Sequence, residues 1–247
     1  MLADSHCHLD LFKNPKKIVS AAFNQGVTKI LSASTSQESI SQNIELSKKF
    51  VSVDCALGLH PVDILSMKKE DVEKAISFVE KNVSNSCAIG EVGVDFKYAS
   101  VEQRGFQEKV FRRFIKIAIE NKKPLVIHTR YADTKCLDIL EKEGAEKVLM
   151  HWFTNSKKTS KRAIDLNYYI SCGPIIFSDE QSQKVVSEIP DENLLLETDA
   201  PVKFQGKEAE PSWIPKVCEK VAELKETSFE EISKKTEKNY SLLFKKL

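Results

Sequence analysis

The chain has 247 residues, 41% of them hydrophobic and 30% charged, which is an ordinary balance for a globular protein with a sizeable core. This length fits one α/β barrel or two small domains. The formal net charge is only +1, from 37 basic and 36 acidic side chains, and this excludes a long basic surface that coats nucleic acid non-specifically. Any contact with nucleic acid would have to be local.

Short apolar runs alternate with longer amphipathic stretches rich in Lys and Glu along the whole chain. Strands are predicted near 2–7, 27–33, 51–57, 87–90, 125–128, 147–151, 168–172 and 193–197. Helices are predicted near 14–25, 36–49, 68–82, 101–121, 131–143, 156–165, 179–188 and 212–224. A last helix is predicted near 229–245, where Ser228 and Glu231 have the spacing of a capping box.

The predicted strands include continuously apolar runs such as 124–127 and 194–196. Such runs are typical of parallel strands that are buried on both faces. Eight strands, each followed by a helix, are the count of a (β/α)₈ barrel. A doubly wound open sheet gives the same alternation, so periodicity alone leaves both folds open. Because no low-complexity linker or repeat interrupts the pattern, we expect a single domain over 1–247.

The six cysteines are scattered and contain no C-x-x-C pair. This usage predicts reduced thiols rather than a disulfide framework. No signal peptide and no apolar run long enough for a membrane span is recognisable. We therefore expect a cytoplasmic protein without a membrane partner, and the sequence indicates no protein partner.

All five histidines lie at the ends of predicted strands and none lies in a predicted helix: His6, His8, His60, His128 and His151. The carboxyl ends of the strands of an α/β barrel meet at one mouth, where active sites are found. Residues separated by nearly the whole chain would therefore converge. The first pair, two positions apart on a strand, would point to the same face and could bind one cation.

Two acidic residues fall at the same level of the predicted barrel. Glu91 is placed at the end of the fourth strand, where an unpaired buried carboxylate is costly, so it would be metal-bound or salt-bridged. Asp199 follows the eighth strand and could bind a cation or take the proton of the attacking water. Asp4 could orient an imidazole or serve as a turn residue, whereas Asp95 is better explained as a capping or loop residue.

Neighbouring positions offer weaker hypotheses. Either of His128 and His151 alone would more often be a satisfied core residue than a ligand, but the two together beside Glu91 favour metal binding. Arg130 could bind a phosphate through its planar guanidinium or be a surface arginine. Trp152 could stack on an unpaired base or pack in a loop.

Four histidines and two carboxylates can supply two cation sites that share a bridging group. Two cations roughly 3.5–4 Å apart can activate a water, orient the substrate and neutralise a leaving oxygen. This combination predicts a two-metal hydrolase with Glu91 and Asp199 in catalytic positions. Because imidazoles suit zinc while carboxylates and phosphate substrates suit magnesium or manganese, the metal is left open.

The motifs together identify a family. The chain resembles the TatD family of metal-dependent deoxyribonucleases, within the amidohydrolase-like barrels. The resemblance covers essentially the whole chain, and its motifs lie at 4–10, 58–61, 90–95, 124–130, 151–154 and 197–201. Further matches are Gln107 with Phe111, residues 210–211, and the closing stretch 239–244.

The resemblance implies a closed barrel and assigns the ligands. One cation would be held by His6, His8, Glu91 and Asp199. The other would be held by Glu91, His128 and His151. His60 would lie near the substrate phosphate or at an additional ligand position.

Several positions depart from the family pattern, namely Val62, Tyr131, Trp152, Asn155 and Ala209. None of them removes a ligand, but they alter the wall of the pocket, so metal chemistry carries over better than substrate identity. The sequence therefore predicts a hydrolase of phosphodiester bonds at DNA strand ends, with single-stranded ends bound locally. The alternative is an amidohydrolase-type enzyme that acts on an amide or an aminoacyl-tRNA ester. A non-catalytic barrel is disfavoured because every expected ligand is present.

Overall fold

A computed structural model describes residues 1–154 and 156–245 of the protein. Eight strands form one parallel sheet in which neighbours along the chain are neighbours in the sheet. The strands are β1 Leu2–Cys7, β2 Val27–Ala33, β3 Val53–Leu57, β4 Ala88–Asp95, β5 Leu125–Arg130, β6 Val148–Met150, β7 Tyr169–Cys172 and β8 Leu194–Leu196. A short antiparallel hairpin follows β8 and consists of β9 Lys203–Phe204 and β10 Lys207–Glu208.

Helices alternate with the strands. They are α1 Pro15–Asn24, α2 Gln37–Lys49, α3 Lys69–Asn82, α4 Val101–Glu120, α5 Asp133–Glu143, α6 Lys157–Asp165, α7 Glu180–Glu188, α8 Ile214–Leu224 and α9 Phe229–Leu243. Single 3₁₀ turns lie at Leu9–Leu11, Asp63–Leu65, Val83–Asn85, Pro174–Phe177, Asp191–Asn193 and Pro211–Trp213. Within the described residues, no helix combines the length and apolar character needed to cross a bilayer.

Helix starts follow from local hydrogen bonds. Ser100 and Gln103 form a reciprocal capping box at the start of α4. At the start of α9, the hydroxyl of Ser228 accepts a hydrogen bond from the amide of Glu231 at 3.2 Å. The carboxylate of Glu231 accepts instead from the hydroxyl of Thr227. The predicted cap is therefore present, with a different partner for its glutamate.

The first and last strands meet, so the sheet is a nearly closed barrel. The hydroxyl of Ser5 donates to the carbonyl of Leu196 at 2.9 Å, and the amide of Asp199 donates to the carbonyl of His6 at 2.9 Å. These contacts join elements that are more than 190 positions apart in the chain. The single-domain (β/α)₈ barrel is thus confirmed, and the open-sheet alternative is excluded. The carboxyl ends of all eight strands lie at one mouth.

The fourth strand is longer than its apolar run indicated. It continues through residues 90–95 to Asp95, so the expectation that Glu91 ends the strand is wrong, and Glu91 lies in its middle. The glycines before and after this glutamate, Gly90 and Gly93, serve close packing of the strands. A Cβ on Gly93 would lie 1.9 Å from the carbonyl oxygen of His128, and a Cβ on Gly90 would lie 2.5 Å from the Cβ of Val126.

Candidate metal centre at the mouth of the barrel

The two oxygens of Glu91 face two different groups of side chains. Glu91 is 2% exposed, and its backbone amide donates to the carbonyl of Ser34 at 3.0 Å, which holds this part of β4 against the β2 end. Gly90 and Gly93 permit the close approach of β4 to β5 in this part of the strand. The position of the Glu91 carboxylate between the groups gives it the geometry of a bridging ligand.

The first group lies around Oε2 of Glu91. Nε2 of His6 lies 3.5 Å from this oxygen and 3.4 Å from Oδ1 of Asp199. Nε2 of His8 lies 3.4 Å from the same Glu91 oxygen and 3.5 Å from the same Asp199 oxygen. The alternation of β1 brings both imidazoles to one side, as the spacing predicted.

The second group lies around Oε1 of Glu91. Nε2 of His151 lies 2.9 Å from it, Nδ1 of His128 lies 3.0 Å from it, and Nε2 of His60 lies 3.6 Å from it. The last two nitrogens are 3.3 Å apart. These side chains come from β5 and from the residues that follow β3 and β6. The structure therefore brings together all seven residues that sequence reasoning placed at the mouth as ligands or beside them.

Asp199 is held in place by the loop after β8. Its backbone has a φ of +51°, a left-handed conformation that aspartate adopts more readily than most residues. The preceding Thr198 donates its amide to Oδ1 of Asp4 at 3.0 Å and its hydroxyl to Oδ2 at 2.5 Å. Asp4 thus clamps the β8 loop to β1. Oδ1 of Asp4 also accepts from the amide of His6, two residues on, at 3.3 Å, as a turn aspartate would, whereas no hydrogen bond among the described residues joins Asp4 to an imidazole.

Two of the candidate ligand histidines have a hydrogen-bonded partner on the ring nitrogen that points away from Glu91, namely His8 and His128. Among the described residues, Nδ1 of His151 has none. Nδ1 of His8 lies 2.9 Å from the carbonyl of Ala33, which fixes a proton there and leaves a lone pair on Nε2. Nδ1 of His151 lies 3.8 Å from Oε2 of Glu197, a fully buried carboxylate that also accepts from the hydroxyl of Ser171. These partners orient the imidazoles toward Glu91.

Asp95 does more than cap a loop. Its Oδ1 accepts from the amides of Lys97 at 2.9 Å and Tyr98 at 3.1 Å, as a capping residue would. Its Oδ2 lies 3.0 Å from Nε2 of His128, so the same carboxylate orients a candidate ligand. The side-chain amide of Gln107 joins this point to the loop after β3. Its oxygen accepts from the backbone amide of Asp95 at 3.0 Å, and its nitrogen donates to the carbonyl of Pro61 at 2.7 Å.

The positioning roles of Asp95, Glu197 and Gln107 were missed from the sequence. A signal exists for Glu197, which is a charged residue directly after the apolar run of β8 and two positions before Asp199. Gln107 and Asp95 lie within family-like motifs, but their partners are set by tertiary packing and not by spacing.

The charges of the site reinforce one another. Burial opposes charge on His8, but its hydrogen bond to Asp199 and the charge of Glu91 outweigh this and raise the pKa of His8 to about 9. Burial also disfavours ionisation of both carboxylates, yet the surrounding histidines hold the pKa of Glu91 and of Asp199 below the usual range. Burial dominates at His60 and lowers its pKa to about 4, so this ring is neutral at pH 7.

The tautomer of His60 differs from that of His8. The amide of Val62 donates to Nδ1 of His60 at 3.2 Å, so in the neutral ring the proton is on Nε2. A protonated Nε2 is a hydrogen-bond donor and has no lone pair for a cation. This tautomer suits a hydrogen-bond donor to substrate, whereas the donor atoms of His60, Glu91 and His128 lie within 4.8 Å of one another and would also suit a cation. The structure therefore supports both roles considered for His60.

The donor set fits divalent cations. Among the described residues, both ring nitrogens of the buried His6 lack a hydrogen-bond partner, and buried polar atoms are rarely left in that condition. Four donors arranged tetrahedrally about 2.1 Å from a zinc ion would be roughly 3.4 Å apart. The nitrogen–oxygen distances between the two histidines of β1 and the two carboxylates are 3.4–3.5 Å.

The remaining expected residues line the rim. Arg130 is exposed at the end of β5, with its guanidinium carbon 5.6 Å from the centre of the Tyr98 ring and not in the histidine cluster. Trp152 directly follows His151, is half-buried, and has a φ of +45°.

Of the positions that depart from the family pattern, Tyr131 is 77% exposed at the rim and Ala209 is buried. Val62 contributes the amide that fixes the tautomer of His60. Asn155 lies outside the described residues.

Comparison with known proteins agrees with the geometry. A family model described as TatD related DNase matches residues 3–245. The uncharacterized metal-dependent hydrolase YabD of Bacillus subtilis (strain 168) is 36% identical over 256 residues and covers 99% of this chain and 99% of its own length. The deoxyribonuclease TATDN3 of Homo sapiens is 31% identical over 261 residues and covers 100% of this chain and 95% of its own. The crystal structure of YJJV, a TatD homologue from Escherichia coli K12, has a TM-score of 0.90 at 26% identity and covers 98% and 97% of the two chains.

Proposed function

The chain belongs to the TatD family of metal-dependent hydrolases, and on this basis we propose that it hydrolyses phosphodiester bonds at the ends of DNA strands with two divalent cations. One relative carries the name deoxyribonuclease, which supports DNA as the substrate class. The two-cation arrangement is supported by a single observation above all. The oxygens of one buried carboxylate, Glu91, face two separate groups of histidines.

The residues divide between the cations as follows. His6, His8, Asp199 and Oε2 of Glu91 would hold the first, and Oε1 of Glu91 with His128 and His151 would hold the second. Divalent cations bound there supply an activated water and neutralise charge on the phosphate oxygens. The donors are mostly imidazoles, which favours zinc over magnesium among the common candidates.

Asp199 is the proposed proton acceptor for the attacking water. It is ionised at neutral pH because the surrounding histidines hold its pKa below the usual range despite its burial. Its left-handed backbone and the Asp4–Thr198 clamp fix its carboxylate beside His6 and His8. A positioned, ionised carboxylate can both orient a water and take its proton.

His60 is proposed to bind the substrate phosphate. It is neutral, and the amide of Val62 leaves its proton on Nε2, next to Oε1 of Glu91. A hydrogen bond from this nitrogen would stabilise a phosphate oxygen as negative charge develops on it. Arg130, farther out on the rim, would contact a neighbouring phosphate, and Trp152 would stack on an unpaired base.

Local contact with a strand end fits the charge of the chain. With a formal net charge of +1, the protein lacks a long electrostatic footprint for duplex DNA. A site at the mouth of a barrel is also more accessible to a strand end than to the interior of a duplex. Both points support a substrate held by a few phosphates.

The test is a substrate screen with end-labelled single- and double-stranded DNA, amides and aminoacyl esters, each with magnesium, manganese or zinc. Asp199→Asn purified in parallel controls for contaminating nucleases. We expect cleavage of single-stranded DNA by the natural protein and not by the variant. Hydrolysis of an amide or aminoacyl ester without cleavage of any DNA would overturn the proposal in favour of the carbonyl substrate.

A further inference from the structure

Two exposed tyrosines lie on the rim of the mouth, next to the second group of ligands. Tyr98 follows β4 and is 56% exposed, and Tyr131 follows β5 and is 77% exposed. Exposed aromatic rings beside an active site are costly to leave in water and are typical of surfaces that stack on planar groups. We call Lys97, Tyr98, Arg130 and Tyr131 the β4–β5 rim.

Two cations flank the ring of Tyr98. The guanidinium carbon of Arg130 lies 5.6 Å from its centre, and Nζ of Lys97 lies 5.5 Å from it. Both cationic side chains are exposed. Within the described part of the chain, neither forms an ion pair with a carboxylate, so their charges remain available to an anion.

The rim is joined directly to the candidate metal centre. The amides of Lys97 and Tyr98 donate to Oδ1 of Asp95, whose Oδ2 lies 3.0 Å from His128. On the other side, the amide of Phe96 donates to the carbonyl of Arg130 at 2.9 Å. These bonds fix the backbone of both rim segments relative to the ligands. A strand whose scissile phosphate lies at the centre would meet the rim with its adjacent nucleotides.

A second basic surface lacks these features. A groove of about 530 Å³ lies along the outer face of α4 and contains Arg112 and Arg113. There the arginines are already paired, the first with Glu143 and the second with Glu73. Paired charges that lie away from the histidines make this groove a poorer site for a strand than the rim.

We propose that the β4–β5 rim binds the nucleotides next to the scissile phosphate of a single strand, with bases on the two tyrosines and phosphates on Arg130 and Lys97. This inference rests on the proposed function and adds the path of the strand across the mouth. Stacking tolerates any base because every base has a π face, so the rim selects unpaired strands and not a sequence. The Arg130 contact considered above becomes part of a continuous surface.

The binding test uses a fluorescein-labelled oligothymidylate with phosphorothioate linkages, which resists cleavage, and the metal-loaded protein. Anisotropy should show that Tyr98→Ala weakens binding roughly tenfold, the scale of one stacked base, while Tyr98→Phe binds within about twofold of the natural protein. Phe23→Ala is the matched control, since Phe23 is 61% exposed on α1 near the opposite end of the barrel. Equal binding by the natural protein and Tyr98→Ala would overturn the proposal that the β4–β5 rim binds the strand.

The charge test measures binding against salt concentration. Each phosphate contact to a single strand contributes roughly 0.7 to the slope of log affinity against log salt. Arg130→Gln should therefore make the slope shallower by about this amount. Lys49→Gln is the control, because Lys49 also lies near an aromatic ring, 5.7 Å from the centre of Phe50, but at the end of α2 away from the mouth. An unchanged slope for Arg130→Gln would contradict the phosphate contact.

Cleavage assays separate this inference from the proposed function. The ratio of kcat/KM for a cleavable oligonucleotide to that for bis(p-nitrophenyl) phosphate should fall roughly tenfold in Tyr98→Ala. An unchanged ratio in a protein that cleaves DNA would refute the rim and leave the proposed function standing. If the protein cleaves no DNA but its binding of the oligonucleotide depends on Tyr98, strand binding by the β4–β5 rim would be supported and the proposed hydrolysis of DNA would be refuted.

Discussion

Oδ2 of Asp95 lies 3.0 Å from Nε2 of His128, on the side of the imidazole opposite the nitrogen that faces Glu91. This carboxylate fixes the proton of the ring on Nε2 and leaves the lone pair of Nδ1 for a cation. Asp95 is the last residue of β4, so the part of this strand beyond Glu91 carries the carboxylate to His128.

Asp95→Asn is expected to weaken the second cation site. The asparagine oxygen can still accept from the loop amides, but its amide group would donate to Nε2 of His128 and force the proton onto Nδ1. Loss of such a partner typically costs 10–100-fold in metal affinity, so calorimetric titration with zinc should show about this decrease for one of two sites. Asp10→Asn is the control, since Asp10 binds Ser39 and Asn43 at the same end of the barrel. Equal affinities in Asp95→Asn and the natural protein would contradict the assigned role.

Much of the fold could be predicted from the sequence. Apolar runs and amphipathic stretches predicted all eight strands and the nine long helices within a few residues of their ends, except β4. The histidines were recognisable because each lies in an apolar strand or within three residues of its end, and the chain has no other histidines. The periodicity did not predict that the barrel closes. That expectation came from the family resemblance.

The remaining errors concern contacts between distant residues. Asp4 and Thr198 are 194 positions apart, and no local pattern could indicate that one clamps the other. The fourth strand was predicted to end near residue 90, whereas the close approach of β5, which Gly90 and Gly93 permit, is a property of the packed sheet and not of the local sequence. Polar residues at strand ends are thus predictable as a group, whereas their partners are not.

Asp199→Asn is expected to lower kcat by about two to four decades while leaving the fold intact. The amide keeps the shape of the carboxylate but cannot accept a proton from water. Steady-state rates and circular dichroism of the metal-loaded variant provide the check. Asp63→Asn, at an aspartate that is half-buried in the loop after β3, is the comparison and should retain most of the activity. A rate within a few-fold of the natural protein would show that the base lies elsewhere.

Activity should decrease in acid, with a midpoint that moves to lower pH as more metal is added. Cation binding requires neutral imidazoles, so protons and metal compete for His6, His8, His128 and His151. Rate profiles at several metal concentrations measure the midpoint. A midpoint that does not depend on metal would indicate a catalytic group instead.

The free energy of unfolding of the chelator-treated protein should decrease as the pH rises, whereas the activity of the metal-loaded protein should increase. The pKa of His8 is about 9 in the fold against 6.5 ordinarily, so its protonation stabilises the fold fully below about pH 6.5. That contribution is lost as the pH rises through about 9. Urea unfolding at pH 6.5 and pH 9.5 measures the loss. His8→Gln should abolish this part of the difference, and an unchanged pH dependence in the variant would refute the assignment.

Trp152→Ala is expected to reduce kcat/KM for single-stranded DNA more than for a small phosphodiester. A stacked base contributes roughly 1–3 kcal/mol, so the selective loss should be about five- to a hundredfold. Trp152→Phe should keep most of the effect because it preserves an aromatic face. If both substrates are affected equally by the alanine variant, Trp152 packs in the loop and does not stack on substrate.

The division of ligands around Glu91 is tested most directly by anomalous scattering from crystals of the protein loaded with zinc or manganese, together with elemental analysis of the same sample. We predict two cations per chain, one next to each oxygen of Glu91, the first beside His6 and His8 and the second beside His128 and His151. A single peak remote from Glu91, or a stoichiometry near zero with every common divalent metal, would contradict the account.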